Sequence, residues 1–212
     1  MGVNVKFCGM NDPEHVEYAL EIGVKWIGMV WYPSSPRHVS LEQMQLLANL
    51  CRGVAKLVIV TVNAPKDQLF DVIEAASPDY IQLHGRETMG TIQYLRQRGV
   101  GIIKAIHVEN SEDIAQSVTQ YAGHVDYFLL DTKPKNQDQL PGGNGQSFDW
   151  DLVKHYAAKE PWFLSGGLNE QNIQQALRIS AATYVDLSSA LEDAPGKKSK
   201  AKMQSFMQMV AD

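Results

Sequence analysis

The sequence predicts a single (β/α)8 barrel filling residues 1–212, and three observations carry that reading. Short apolar or β-branched runs alternate with stretches of helical periodicity along the whole chain, which implies parallel strands joined by crossover helices. The strand ends fall at residues 8, 31, 62, 84, 107, 131, 165 and 187, so eight units recur with no linker-like stretch between them. The length, 212 residues, suits a compact barrel, for which about 250 is typical, although an open doubly wound sheet would give similar local signals.

Taken in order, the strands are read at Val3 to Cys8, Trp26 to Trp31, Lys56 to Val62 and Tyr80 to His84, then Ile102 to His107, Val125 to Asp131, Trp162 to Ser165 and Thr183 to Leu187. Asp12-Pro13 announces a helix over Glu14 to Ile22, Ser40 one over Leu41 to Leu50, and Ala64-Pro65 one over Asp67 to Ala76. Further helices are expected to start at Glu87, Ser111, Asp149 and Asn169, with a last one from about Lys200 to Val210.

Composition narrows the function. Hydrophobic residues make up 44% and charged residues 20%, with 19 Lys+Arg against 24 Asp+Glu for a net charge of −5. No basic stripe runs along a helix, so nucleic acid and anionic membranes are not expected partners. No run approaches 18 apolar residues and the first ten residues do not read as a signal peptide. The two cysteines, Cys8 and Cys51, lack metal-ligand spacing and suit a reducing compartment, so the cytoplasm is expected. A monomer is the default, because the helix faces show no unusual apolar excess.

In a barrel the chemistry gathers at the C-terminal strand ends. Alternation puts Lys6 and Cys8 on one face of the first strand and Val5 and Phe7 on the other; with the apolar pair toward the helices, Cys8 reaches the mouth. Cys8 reads equally as a reactive thiol or as a small buried hydrophobe, whereas Cys51, beside Met44, Leu47 and Leu50, reads as core. Asp131 ends an apolar strand abruptly; burial disfavours a charged carboxylate, so it reads as a proton donor, the alternative being a cap for Thr132-Lys133-Pro134.

Gly142-Gly143-Asn144-Gly145, Ser165-Gly166-Gly167 and Ser188-Ser189 follow the last three strands, where backbone N–H groups recurrently cradle phosphate; the alternative is glycines that only make tight turns. Arg37, in a proline-stiffened loop, offers a bidentate grip for a carboxylate or is merely solvated. His84 and His107 lack a third ligand at metal spacing, which favours packing or substrate contact and no metal. The run Lys197-Lys198-Ser199-Lys200 reads as a solvated lead into the last helix.

Several segments together resemble the phosphoribosylanthranilate isomerase family of tryptophan biosynthesis. They are Val5-Lys6-Phe7-Cys8-Gly9, Gly28 to Arg37, Gln82-Leu83-His84-Gly85, Leu129-Leu130-Asp131, Gly142 to Trp150, Leu164 to Asn169 and Val185 to Ser189, in order across nearly the whole chain. Pro195-Gly196-Lys197-Lys198 is similar to the family's segment after the eighth strand.

The resemblance implies a cofactor-free barrel that performs an Amadori rearrangement of a phosphoribosylated anthranilate. It implies Cys8 as general base, Asp131 as general acid and Arg37 against the anthranilate part; His84 and Asp186, by their places at the ends of strands 4 and 8, are read as further substrate contacts. Asp186 would bond a ribose hydroxyl. Phosphate would sit on Gly166, Gly167, Ser188 and Ser189, helped by Gly143 and Gly145. Such roles need the carboxyl protonated and the thiol ionised, the reverse of their free forms at neutral pH given reference values of about 3.9 and about 8.5; a nearby cation, Lys6 being a candidate, would favour the thiolate. The chain departs from the family pattern at Trp31, where Phe is common, at Asn144, where Thr is common, and at Ala190, where Gly is usual, which puts close approach to the phosphate in question.

Three other readings compete, one being a metal-dependent pentose-phosphate epimerase on the same fold, which would use His and Asp at strand ends and would lose activity on chelation. The related histidine-pathway isomerase uses a pair of aspartates where this chain has Cys8 and Asp131, and needs a second phosphate site, which the early loops do not show; a non-catalytic phosphosugar-binding module would keep the pocket without the chemistry.

Overall fold

The computed structural model describes residues 2–133, 147–156 and 159–211. Strands β1 (Asn4–Cys8), β2 (Trp26–Trp31), β3 (Lys56–Thr61), β4 (Tyr80–Leu83), β5 (Gly101–Val108), β6 (Tyr127–Thr132), β7 (Trp162–Leu164) and β8 (Tyr184–Leu187) pair in sequence order, all parallel. The sheet closes because β1 pairs with β8, Lys6 opposite Asp186, so the open-sheet alternative falls.

Around the barrel lie α1 (Pro13–Glu21), α2 (Leu41–Cys51), α3 (Lys66–Ala76), α4 (Met89–Arg96), α5 (Ser111–Tyr121), α6 (Ile173–Ser180) and α7 (Lys200–Ala211). The expected caps form at α1 and α2: Asp12 accepts from the His15 N–H with Pro13 in the first turn, and the Ser40 hydroxyl accepts from the Gln43 N–H. At α5 the Asn110 and Asp113 side chains build a reciprocal capping box.

Two expected helix starts are displaced and a third segment takes another helical form. Helix α4 begins at Met89 because the Glu87 carboxylate is taken by the Asn63 and Gly85 N–H groups and by Lys104. Helix α6 begins at Ile173, since Asn169 and Asn172 first turn back to bond the Gly167 carbonyl. The segment after Asp149 is a 3-10 turn, Trp150–His155, rather than an α-helix. A second 3-10 turn (Ser189–Leu191) and a small hairpin of β9 (Glu192–Ala194) and β10 (Lys197–Lys198) follow β8.

Alternation sorts the side chains into two cores. Val5, Phe7, Ile27, Ile59 and Ile81 face the helices in the main hydrophobic cluster. Inside the barrel the bottom is plugged by Trp26, Tyr80, Tyr127, Phe163 and Tyr184, whose ring centroids lie 5.1–6.1 Å apart, many edge to face. That plug fills the N-terminal end of the barrel interior. Among the described residues no helix is long and apolar enough to cross a membrane.

Candidate active site

Cys8 ends β1 on the inner face, buried at the mouth against Val30, Val60 and Tyr32. Three strands away around the closed barrel, β6 carries Asp131 inward, also buried. The Thr132 N–H donates to Asp131 Oδ1 at 2.8 Å, fixing the carboxyl plane. Gly166, at φ +84°, lies so close that a Cβ there would meet Thr132 and come within 3.1 Å of Oδ1, so glycine is required for contact as well as conformation.

His84, expected as a substrate contact, lines the same mouth. Its Nε2 is 3.3 Å from Asp131 Oδ2, close enough for electrostatic contact but not aligned as a hydrogen bond. The Gln82 amide nitrogen stands 2.9 Å from His84 Nδ1; with that amide as donor, the His84 proton sits on Nε2, facing Asp131. His107 Nε2 reaches the His84 carbonyl at 3.1 Å, and burial with His84 alongside holds His107 down to about 4, hence neutral.

Below Cys8 the interior is charged. Lys6 is wholly enclosed and donates to Asp186 Oδ1 at 2.8 Å, while Ser165 Oγ lies 3.4 Å from Asp186 Oδ2. Burial works against the Lys6 charge, but Asp186 and Cys8 outweigh it and hold the ammonium above the ordinary lysine range. Burial pushes the Cys8 thiol up; Lys6 and Lys198 pull against it, and Asp186 adds to the rise. Cys51 behaves as the core residue expected: it is buried in α2, and burial pushes its thiol up to about 12.

For Arg37 the solvated alternative falls. The side chain is buried, and its Nε and Nη2 donate to Glu192 at 2.7 and 2.8 Å, so the fork expected to grip a ligand carboxylate is filled by the protein itself. Among the described residues no hydrogen bond engages Nη1, which leaves the edge formed by Nη1 and the outer N–H of Nη2 for a second anion. Lys198 requires a correction: instead of leading solvated into α7, it is buried, bonding Glu192 Oε1 and the Ser188 carbonyl, each at 2.9 Å. Burial disfavours the Lys198 ammonium despite Glu192, and Arg37 and Lys198 together hold the buried Glu192 below the usual carboxylate range.

Two cations against one carboxylate leave this clasp net positive beside the mouth. Glu192→Gln leaves both cations without a buried carboxylate and is expected to lower the unfolding free energy by about 3–5 kcal/mol. Urea denaturation checks this, and a loss under about 1 kcal/mol would contradict the clasp as a stabilising unit.

The expected anion turns lie at the same mouth. Gly166 and Gly167 both have positive φ, and among the described residues no backbone carbonyl accepts from their N–H groups. Ser188 precedes the 3-10 turn, whose first N–H groups, from Ser189 on, have no acceptor within the turn. Ala190 does not have positive φ, so its Cβ brings no backbone strain there. Gly143 and Gly145 lie outside the described residues.

The barrel and this arrangement can be set against known proteins. The family model for N-(5'phosphoribosyl)anthranilate (PRA) isomerase matches residues 5–209. The chain belongs to the PRA isomerase family. Relatives named N-(5'-phosphoribosyl)anthranilate isomerase from Brucella canis and Brucella abortus are each 39% identical over 213 residues, covering 100% of this chain and 96% of the relative. The PRA isomerase structure from Thermotoga maritima superposes with a TM-score of 0.85 at 29% identity, covering 99% of this chain and 98% of that one. A PRA isomerase in complex with reduced 1-(o-carboxyphenylamino)-1-deoxyribulose 5-phosphate gives 0.83 at 28% identity, with the same coverage.

On this PRA isomerase chain, sequence reasoning passed over two residues that shape the site, Gln82 and Glu192, and misread a third, Lys198. A signal existed for the last two. Glu192 and Lys198 flank Pro195-Gly196, a turn pair that predicts a hairpin with opposite charges facing across it, and the two are cross-strand partners. For Gln82, alternation with His84 on one strand was the available clue.

Proposed function

We propose that this chain isomerises N-(5'-phosphoribosyl)anthranilate to 1-(o-carboxyphenylamino)-1-deoxyribulose 5-phosphate, with Asp131 as general acid and Cys8 as general base. The observation that carries the assignment is a thiol and a carboxyl group buried on the inner face of one closed barrel, at one mouth, in a chain of the PRA isomerase family.

The rearrangement needs two proton movements at neighbouring atoms. Asp131 gives its proton to the ribose ring oxygen as the C1–O bond breaks, and the nitrogen lone pair closes on C1 to form an iminium. The Cys8 thiolate then takes the proton from C2, and those electrons form the enolamine double bond while the iminium nitrogen is neutralised. Loss of the enol proton and protonation of C1 give the ketone. The sequence uses no cofactor, because the substrate's own nitrogen serves as the electron sink.

The remaining residues bind. Phosphate is assigned to the N–H groups of Gly166, Gly167, Ser188 and Ser189, with Gly143 and Gly145 as further donors. The anthranilate carboxylate is assigned to the second edge of Arg37, next to the positive clasp. His84 and Asp186 are assigned to the sugar, Asp186 through a ribose hydroxyl. The enzyme is read as a one-domain cytoplasmic monomer occupying residues 1–212.

Loss of substrate fluorescence, followed with the purified protein in the presence of a chelator, is the test. Steady-state turnover unaffected by chelation is expected. Ligand binding without turnover would favour a phosphosugar-binding module instead.

A further inference from the structure

The barrel interior holds more buried charge than an acid and a base require. Lys6 lies on β1 two residues below Cys8, and its ammonium donates to Asp186 Oδ1 at 2.8 Å. Gly28 of β2 leaves the space for a second neighbour. A Cβ at that position would come within 3.0 Å of the Cys8 Sγ and 3.1 Å of both Cε and Nζ of Lys6, so the sulfur and the ammonium converge on one hollow. An ammonium has three donors, and the bond to Asp186 uses one.

We infer that Lys6 is a positioning residue for Cys8, supplying the charge against which the sulfur ionises, and that Asp186 tempers that charge by taking a share of it. The inference rests on the reading of Cys8 as the base and deepens it. Packing alone does not call for these groups: an apolar side chain of lysine's length would fill the barrel without the desolvation cost of a buried ion pair. The pair therefore has work other than stability. A sugar hydroxyl that donates to Asp186 draws its negative charge away from Lys6, so the seated substrate raises the share of Cys8 present as thiolate.

Other groups facing Cys8 are already engaged. Lys198, from β10, is tied to Glu192 and the Ser188 carbonyl. Arg37, from the loop after β2, packs its stem on Gly9 and forks onto Glu192. Val30 of β2 and Val60 of β3 are uncharged, and Ser165, beyond β7, faces Asp186. Asp131 accepts from the Thr132 N–H and His84 contacts Gln82, on the far side of the mouth.

The test is the titration of the Cys8 thiolate, read as ultraviolet absorbance near 240 nm and corrected by the spectrum of Cys8→Ser. Lys6→Met is expected to move the titration up by about one pH unit, a tenfold loss of thiolate at neutral pH, and Asp186→Asn to move it down by a similar amount. Lys6→Arg, which keeps the charge, is expected to stay near the parent. A purely structural role would alter stability and leave the titration in place. If Lys6→Met does not fold, Asp186→Asn decides: an unmoved or upward titration overturns the inference, as does an unmoved titration in folded Lys6→Met. Normal turnover by Cys8→Ser would instead overturn Cys8 as base, and that result is read in a different assay.

Discussion

Cys8→Ser is expected to lower turnover by a factor on the order of 10² or more while leaving the barrel folded. The sulfur is the only ionisable atom that β1 places at the upper mouth, and serine keeps its position and nearly its volume. A hydroxyl in the same hollow does not give up its proton near neutral pH, so C2 of the substrate meets no base. The effect should fall on kcat rather than KM, because the residues assigned to phosphate and carboxylate are untouched. The sign of the pH dependence follows from the role. Burial pushes the Cys8 thiol up, and a base works only when deprotonated, so parent turnover should rise with pH through the Cys8 titration. In Cys8→Ser that rise should disappear. Near-normal turnover in the folded variant, measured by loss of substrate fluorescence, would reject the assignment.

Asp131→Asn should cost a comparable factor for the opposite reason. An asparagine keeps the side-chain size and the oxygen that accepts from the Thr132 N–H; its amide N–H faces His84 Nε2, which accepts once the His84 proton moves to Nδ1 and Gln82 turns its amide oxygen toward it, so the mouth keeps its shape. What it lacks is a proton to transfer to the ring oxygen. The ring then opens without an acid, and turnover is expected to fall by on the order of 10² or more, with a urea midpoint close to that of the parent. Turnover within a few fold of the parent would remove Asp131 as the acid.

The strands could be read because each is a short apolar run that stops at a polar residue, and alternation alone put Cys8 inward and Val5 and Phe7 outward. Asp131 stood out as a carboxylate ending such a run. The helix after β6 could not be read correctly, since Asp149 gives the same cap signal to a 3-10 turn as to an α-helix, and here it accepts from the Asp151 N–H to start the shorter form. Arg37 and Glu192 are 155 residues apart, and nothing local in a proline-rich loop says that its arginine will meet a carboxylate from beyond β8. Lys198 was hidden by composition. In a run of lysines every member looks solvated, yet the β9–β10 hairpin turns this one inward while Lys197 stays exposed. Glu87 was read as a helix start, whereas it closes a buried knot with Lys104 at 3.1 Å.

The central claim is that the Cys8 sulfur itself does chemistry at the mouth of the barrel. It is tested most directly by treating the protein with iodoacetamide in stages and comparing residual turnover with the fraction of Cys8 modified, read by mass spectrometry. The account predicts that turnover falls in proportion and vanishes at one group per chain, and that reduced 1-(o-carboxyphenylamino)-1-deoxyribulose 5-phosphate slows the modification. Complete modification of Cys8 with turnover retained would contradict it.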